Sequence, residues 1–273
     1  MSGADSSTYV IHGGAGGVDR LRILARAVRP STRAVLARAG VGAGMVCLDV
    51  GCGGGDSTVE LARQVGPTGR VVGIDMDATA IDLAREAVAA QGLDNIELRV
   101  GAAGEGMAER FDVVYARFLL THLGDPLSVL RAIVATLRPG GIAIVEDIDY
   151  RGMFCHPENA AFQRHVELYS ALVQRAGANP MIGPRLPSLL RDAGCVEIAM
   201  HVVQPAGFDE EVKVMAALTT EATADRVVAA GLATRAEVEA LARDLHQFAR
   251  DPFAVMSLPR IVQAWGRAPS GGA

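Results

Sequence analysis

From residue 45 to residue 149, short β-branched runs alternate with stretches in which apolar residues recur every three or four positions. That is the pattern of repeated strand–helix units that build a parallel sheet. The runs predict strands over residues 45–50, 70–75, 96–101, 111–116 and 141–148. Between them, Asp77 is placed to cap a helix over 78–90 that stops at Gly92, and Asp125 before Pro126 opens one running to Leu137. Pro139, Gly140 and Gly141 then turn the chain into the fifth strand. Upstream, residues 19–29 and 31–39 carry two short helical patterns separated by Pro30.

Beyond Asp149 the alternation lapses. Phe162, Val166, Tyr169, Val173 and Ala176 fall at helical spacing within 157–176, before Gly177. A short helix over 187–193 leads to an apolar strand over 196–203, and two long helices follow at 210–230 and 234–249. The second of these opens on a Thr234/Glu237 capping box and carries a seam of Val238, Leu241, Leu245 and Phe248. A last strand is expected over 260–265. The helices inserted after Asp149 read as a cap over the carboxyl ends of the sheet, where open α/β proteins bind ligands.

Composition narrows the function. Half the residues are hydrophobic and only 4% aromatic, so the core is built from Ala, Val, Leu and Ile on regular elements. A net charge of -5 argues against a surface made to hold a polyanion, and no nucleic-acid partner is expected. No apolar run is long enough to span a bilayer, and residues 1–8 show no secretory pattern. The cysteines Cys47, Cys52, Cys155 and Cys195 lack zinc-ligand spacing and the density of a disulfide framework. Cys155 and His156 are adjacent, but no second pair completes a metal site. A cytoplasmic protein with reduced thiols, no metal and no membrane partner is the expectation.

The chemistry gathers at the first turn. Leu48-Asp49-Val50-Gly51-Cys52-Gly53-Gly54-Gly55 follows a strand and precedes the helical stretch 57–65, the setting of a nucleotide-binding turn. The dinucleotide pattern fails because Asp56 stands where its third Gly belongs. Met76 and Asp77 follow a second acid, Asp75, at the end of the second strand, 26 residues after Asp49. A carboxylate there can accept both hydroxyls of a ribose.

Asp49-x-Gly51-x-Gly53-x-Gly55 resembles motif I of class I S-adenosylmethionine-dependent methyltransferases. The stretches 111–117 and 137–141 resemble motifs IV and V, and 189–195 resembles the approach to the family's sixth strand. The likeness is to small-molecule methyltransferases of the ubiquinone/menaquinone-methyltransferase kind. It implies a Rossmann-like, seven-stranded, mostly parallel sheet with helices on both faces and a helical cap, and S-adenosyl-L-methionine as cofactor. By the same resemblance Asp49 faces the cofactor's ammonium, Gly51, Cys52 and Gly53 make room for its ribose and methionine parts, and Met76 lies against adenine. One departure stands out: Ala102 occupies the place of an acid that binds the adenine amino group in many relatives. The backbone of Ala102 and Ala103, or Glu105, is left for that task.

Methyl transfer from a sulfonium asks the protein chiefly to align donor and acceptor. Arg117, directly after the fourth strand, is placed to pair the cofactor carboxylate or an anionic acceptor. His122, one turn on, and Asp147, among Glu146, Asp147 and Asp149 at the end of the fifth strand, are the catalytic candidates. His156 and His165 are placed to complete the pocket from the cap, and Tyr9 is the candidate lid residue. The expected organisation is an N-terminal helical extension or lid (1–40), a cofactor-binding core (41–150) and a cap carrying the last two strands (151–273). The expected acceptor is a small molecule, and homo-oligomer formation is left open. A cyclase retaining the cofactor, or a non-catalytic binding protein, would share these motifs.

Overall fold

The computed structural model describes residues 15–102 and 108–270. The β-branched runs form strands β1 (Val46–Val50), β2 (Arg70–Asp75), β3 (Ile96–Val100), β4 (Phe111–Arg117) and β5 (Leu137–Asp149). Helices α1 (Ala15–Ala39), α2 (Asp56–Val65), α3 (Ala78–Ala89) and α4 (Pro126–Val134) precede or link them. After β5 come β6 (Cys155–His156), α5 (Ala160–Arg175), α6 (Leu186–Asp192), β7 (Val196–Val203), β8 (Ala206–Gly207), α7 (Glu210–Ala229), α8 (Arg235–Arg250), β9 (Val255–Ser257) and β10 (Arg260–Arg267).

The main sheet has seven strands in the order β3-β2-β1-β4-β5-β10-β7. β10 runs antiparallel to both its neighbours, and the pairs among β1 to β5 are parallel. The seven-stranded, mostly parallel architecture expected from the sequence is therefore the one observed. Period-two alternation splits each inner strand between two cores. Leu48, Val72, Val114 and Ala143 pack with Leu130 and Ile133 of α4 and Leu186 and Leu190 of α6. Cys47, Val71, Val113 and Ile142 pack on the other face with Val35 and Leu36 of α1 and Leu61 and Val65 of α2. A further core lies in the cap, where Phe162, Leu172 and Val173 of α5 meet Ala217 and Val227 of α7 and Leu241 and Leu245 of α8. Burying each Leu, Ile or Phe so completely contributes about 1.5–3 kcal/mol against leaving it in water.

Two expectations need correction, and a third element forms where expected but on the sheet's edge. Pro30 does not separate two helices but sits inside the single helix α1. A proline in a helix interior costs about 3 kcal/mol, yet Ala25, Val28, Val35, Leu36 and Ala39 are all buried along one continuous stripe that holds the helix together across it. α4 ends at Val134, not Leu137, because Leu137 already pairs with Phe111 at the start of β5. The strand over 196–203 is an exposed edge, with Val196, Met200 and Val202 open to solvent, because only β10 pairs with it. The sequence also left unread a small second sheet, β6-β9-β8, whose strands of two or three residues are too short to show a period. Among the described residues no helix is long and apolar enough to cross a membrane.

Candidate cofactor and acceptor site

The turn after β1 is fixed almost wholly by its backbone. Gly51 has φ +68°, and a Cβ there would meet Leu119 at 3.1 Å. The amides of Gly51 and Cys52 both donate to the Ile74 carbonyl, at 2.8 and 3.0 Å, so the turn is pinned to the end of β2. Gly53, also at positive φ (+52°), donates its amide to Asp75 Oδ2 at 2.9 Å. Among the described residues nothing lies within 4 Å of where a Cβ would stand on Gly53 or Gly54, so this side of the turn has room for a ligand. Gly73, which the motif reading passed over, is needed as well. A Cβ there would fall 2.8 Å from Leu98 and 3.2 Å from Cys52 Sγ and Thr58 Oγ1.

Asp49 lies beneath this turn and is 1% exposed. Its Oδ2 accepts from Ser57 Oγ at 2.8 Å and Thr58 Oγ1 at 2.6 Å, both at the start of α2. Its Oδ1 is buried with no hydrogen-bond partner among the described residues. Burial pushes the Asp49 carboxyl up to about 6, against the opposing pull of Thr58, Ser57 and the charge of Arg117. A buried carboxylate with one oxygen filled and the other empty is left short of a cation. Ser57 and Thr58 escaped the sequence reading, although their position directly after the glycine turn was the available signal.

Asp75 is half-buried at the end of β2, with Oδ1 accepting from the Asp77 amide at 2.9 Å and Oδ2 from Gly53. Each oxygen keeps a second lone pair for a ligand hydroxyl. Met76 beside it is 54% exposed, a large apolar side chain held in the open. The Gly101 amide donates to the Asp75 carbonyl at 2.9 Å, which brings half-buried Ala102 to the same end of the sheet. Ala103 and Glu105 lie outside the described residues, as does Tyr9.

At the end of β4, Arg117 Nη1 donates to Thr32 Oγ1 of α1 at 3.0 Å, and its guanidinium lies 5.7 Å from the Phe118 ring centroid. Burial works against its charge, but Tyr115, Glu146, Asp49 and Asp56 around it hold its pKa up. Phe118 itself has φ +55°, a left-handed conformation unusual for a non-glycine residue, secured by its amide donating to the Glu146 carbonyl at 2.8 Å. Next comes a one-turn 3-10 helix, Leu120–His122. Asp147 holds it from β5: Oδ2 accepts from the Thr121 amide at 3.0 Å and Oδ1 from its neighbour Ile148 at 2.8 Å. Burial pushes Asp147 up to about 7, although those backbone amides favour its charged form. His122 is buried and pushed down to about 4, by burial first and then by the charges of Arg20 and Arg226.

The other two acids of the sequence cluster are tied elsewhere. Glu146 accepts from Tyr115 Oη and, at 2.6 Å, from Gln263 Nε2, linking β4, β5 and β10. Asp149 pairs with Arg151 at 2.8 Å and Arg260 at 3.6 Å. Of the cap histidines, His165 is buried on α5, whereas His156 is exposed on β6.

Residues 42–204 match the family described as "Methyltransferase domain". Among curated relatives, the methyltransferase GfsG of Streptomyces halstedii is 32% identical over 168 residues, 56% of this chain and 60% of that protein. A demethylmenaquinone methyltransferase of Lactococcus lactis is 33% identical over 128 residues, 46% of this chain and 48% of that protein. The chain thus spans about half the length of the curated relatives it matches. Among solved structures, the YcgJ protein of Bacillus subtilis aligns with a TM-score of 0.59 at 14% identity, covering 89% of this chain and all (100%) of that one. The [4+2]-cyclase SpnF aligns at 0.53 with 20% identity, covering 89% and 82%. These two structural likenesses are of fold. With the match over residues 42–204, the glycine turn, Asp49 and Asp75 place the chain in the class I S-adenosylmethionine-dependent methyltransferase family, to which it belongs.

Proposed function

We propose that the chain moves the methyl group of S-adenosyl-L-methionine to a small-molecule acceptor by in-line displacement. The observation that carries this reading is the empty Oδ1 of buried Asp49, beside a glycine turn with an open backbone face. An ammonium is the ligand group that answers a buried carboxylate short of a partner. Asp75 is suited to a ribose diol, Met76 to an adenine face, and the backbone at Ala102 to the adenine edge. Gly51, Cys52 and Gly53 leave room for the sugar and methionine parts, and Arg117 adds a cation near Asp49 for the cofactor's carboxylate. Tyr9 and Ala103 keep their expected roles as lid and adenine neighbour.

When bound, the cofactor supplies a methyl on a sulfonium, and displacement returns the C–S electron pair to sulfur as S-adenosylhomocysteine. The chain's part is to align the acceptor, exclude water and handle a proton. Asp147, pushed up to about 7, is near half-ionised at neutral pH, the range in which a general base is most useful. His122, neutral at that pH, is the second catalytic candidate. A small acceptor is favoured because the cap helices pack over this end of the sheet.

The test is incubation of the chain with S-adenosylmethionine and a panel of small phenols, acids and amines, read by mass spectrometry. Release of S-adenosylhomocysteine together with one added methyl on an acceptor is expected. Cofactor binding with no S-adenosylhomocysteine released by any acceptor would favour a cyclase-like use of the fold.

A further inference from the structure

Between the cap and the carboxyl ends of β4 and β5 lies a group of polar side chains that the motifs do not account for. Arg20 of α1 is 8% exposed and donates through Nε to Thr219 Oγ1 of α7 at 3.0 Å. Among the described residues no carboxylate lies within ion-pair distance of it, and Nε makes its only hydrogen bond. Tyr150, which follows β5, stacks on Tyr169 of α5 with ring centroids 4.3 Å apart and planes at 14°. Both rings are buried, yet neither hydroxyl makes a hydrogen bond to a described residue. His165 of α5 lies 6.3 Å from the Tyr150 ring and 6.5 Å from that of Tyr169.

The tautomer of His165 follows from its neighbour. Thr220 Oγ1 donates its own proton to the Ala216 carbonyl at 2.8 Å, so it can only accept from His165 Nδ1, 2.9 Å away. The proton therefore sits on Nδ1, and Nε2 carries the lone pair. Arg20 and His165 bond to the adjacent Thr219 and Thr220 of α7, and the charge of Arg20 also acts on His122, Tyr150 and Tyr169. Arg226 of α7 adds a second positive charge near His122. Asp147 is the acid that acts on this group, through Tyr169, and its oxygens already hold the Thr121 and Ile148 amides.

A buried cation with no counterion among the described residues, with two phenol donors beside it, is the complement of an anionic oxygen. We propose that this cluster of side chains binds an acceptor bearing an acidic oxygen, a carboxylate or an ionisable phenol or enol, seated between Arg20 and the hydroxyls of Tyr150 and Tyr169. This deepens the methyltransferase reading and rests on it for the cluster's role as the acceptor side. His165 Nε2 is the cluster's neutral lone-pair acceptor, suited to a hydroxyl or N–H elsewhere on the same molecule.

The experiment uses the full chain saturated with S-adenosylhomocysteine and three probes: benzoate, para-nitrophenol and benzyl alcohol. Ligand-observed NMR gives relative affinities, and the absorbance of para-nitrophenol against pH gives its ionisation when bound. At least one acidic probe is expected to bind about tenfold more tightly than benzyl alcohol, and bound para-nitrophenol to ionise about one pH unit lower than when free. Tighter benzoate binding alone identifies a carboxylate, and the shift in para-nitrophenol identifies a phenol or enol. Arg20→Gln is expected to abolish the preference and the shift, with Arg20→Lys restoring part of both. The melting temperature of each variant separates this loss from misfolding, and Tyr169→Phe is a second variant, expected to weaken the acidic probe about threefold. Equal binding of all three probes by the native chain overturns the proposal, as does an unchanged acid preference in folded Arg20→Gln. A parallel titration with S-adenosylmethionine tests the cofactor reading by itself, so loss of one reading is distinguishable from loss of the other.

Discussion

Gly53 donates its amide to Asp75 Oδ2 at 2.9 Å, which makes the glycine turn and the end of the second strand one unit. The residue proposed to bind the ribose also holds the backbone proposed to contact the methionine part. Asp75→Ala is therefore expected to weaken S-adenosylmethionine binding by about 1.5–3 kcal/mol, the worth of hydrogen bonds to a charged group. Asp75→Asn retains one acceptor oxygen and should lose less. Calorimetric titration of both variants checks the order.

Gly51→Ala tests the turn from its other end. Its φ of +68° and the contact with Leu119 at 3.1 Å leave no relaxed place for a methyl group. A cost of about 1–2 kcal/mol in stability is expected from the left-handed conformation, with loss of cofactor affinity as the turn shifts. Urea unfolding and cofactor titration on the same sample read the two effects.

The contributions of Asp49, Asp147, His122 and His165 to the pH dependence of stability should nearly cancel between about pH 4 and 6. Asp49 and Asp147 keep their protons in the folded chain up to about 6 and about 7. The unfolded chain loses those protons near pH 4, so these two groups cost stability as pH rises through the window. His122 and His165 hold no proton in the folded chain above about 4, whereas the unfolded chain protonates them below about 6.5. They cost stability as pH falls, and near pH 5 the folded and unfolded chains bind equal numbers of protons at these four sites. His165→Phe removes one proton from the unfolded side alone. Relative to the native chain its stability should then fall as pH rises, by about 1.4 kcal/mol per unit. Urea unfolding of both chains at several values across this window measures the slopes, and equal slopes in the native chain and the variant would refute the balance.

Asp147 supports the turn after β4 through the Thr121 amide at 3.0 Å, and is also a proposed proton acceptor. Asp147→Asn keeps one acceptor oxygen and removes the basic group. The turnover number should fall by about tenfold to a hundredfold, with the KM for S-adenosylmethionine nearly unchanged. A KM that rises as steeply as the turnover number falls would assign the residue to positioning alone.

The sheet was legible because its strands are compact β-branched runs and its turns are written in Gly, Pro and Asp at fixed places. Long-range packing was not. The Pro30 signal is local, whereas the stripe from Ala25 to Ala39 that overrides it is satisfied only by the faces α1 meets in the fold. Asp49 and Asp75 were legible because each stands at a fixed spacing from the glycine turn, at the end of a β-branched run. Arg20, Tyr150 and Tyr169 were not, since they come from distant parts of the chain and share no local pattern. α7 also hid its role. Thr219, Thr220 and Thr223 are buried because the helix is packed against α1, α5 and α8, and a count of apolar positions passes over them.

The central claim is that the chain binds S-adenosylmethionine through the empty oxygen of Asp49. Calorimetric titration of the native chain and Asp49→Asn with that cofactor tests it most directly. Saturable one-site binding by the native chain, weakened at least about tenfold in the variant, is the predicted result. No saturable binding by the native chain, or equal affinity in the folded variant, would contradict it.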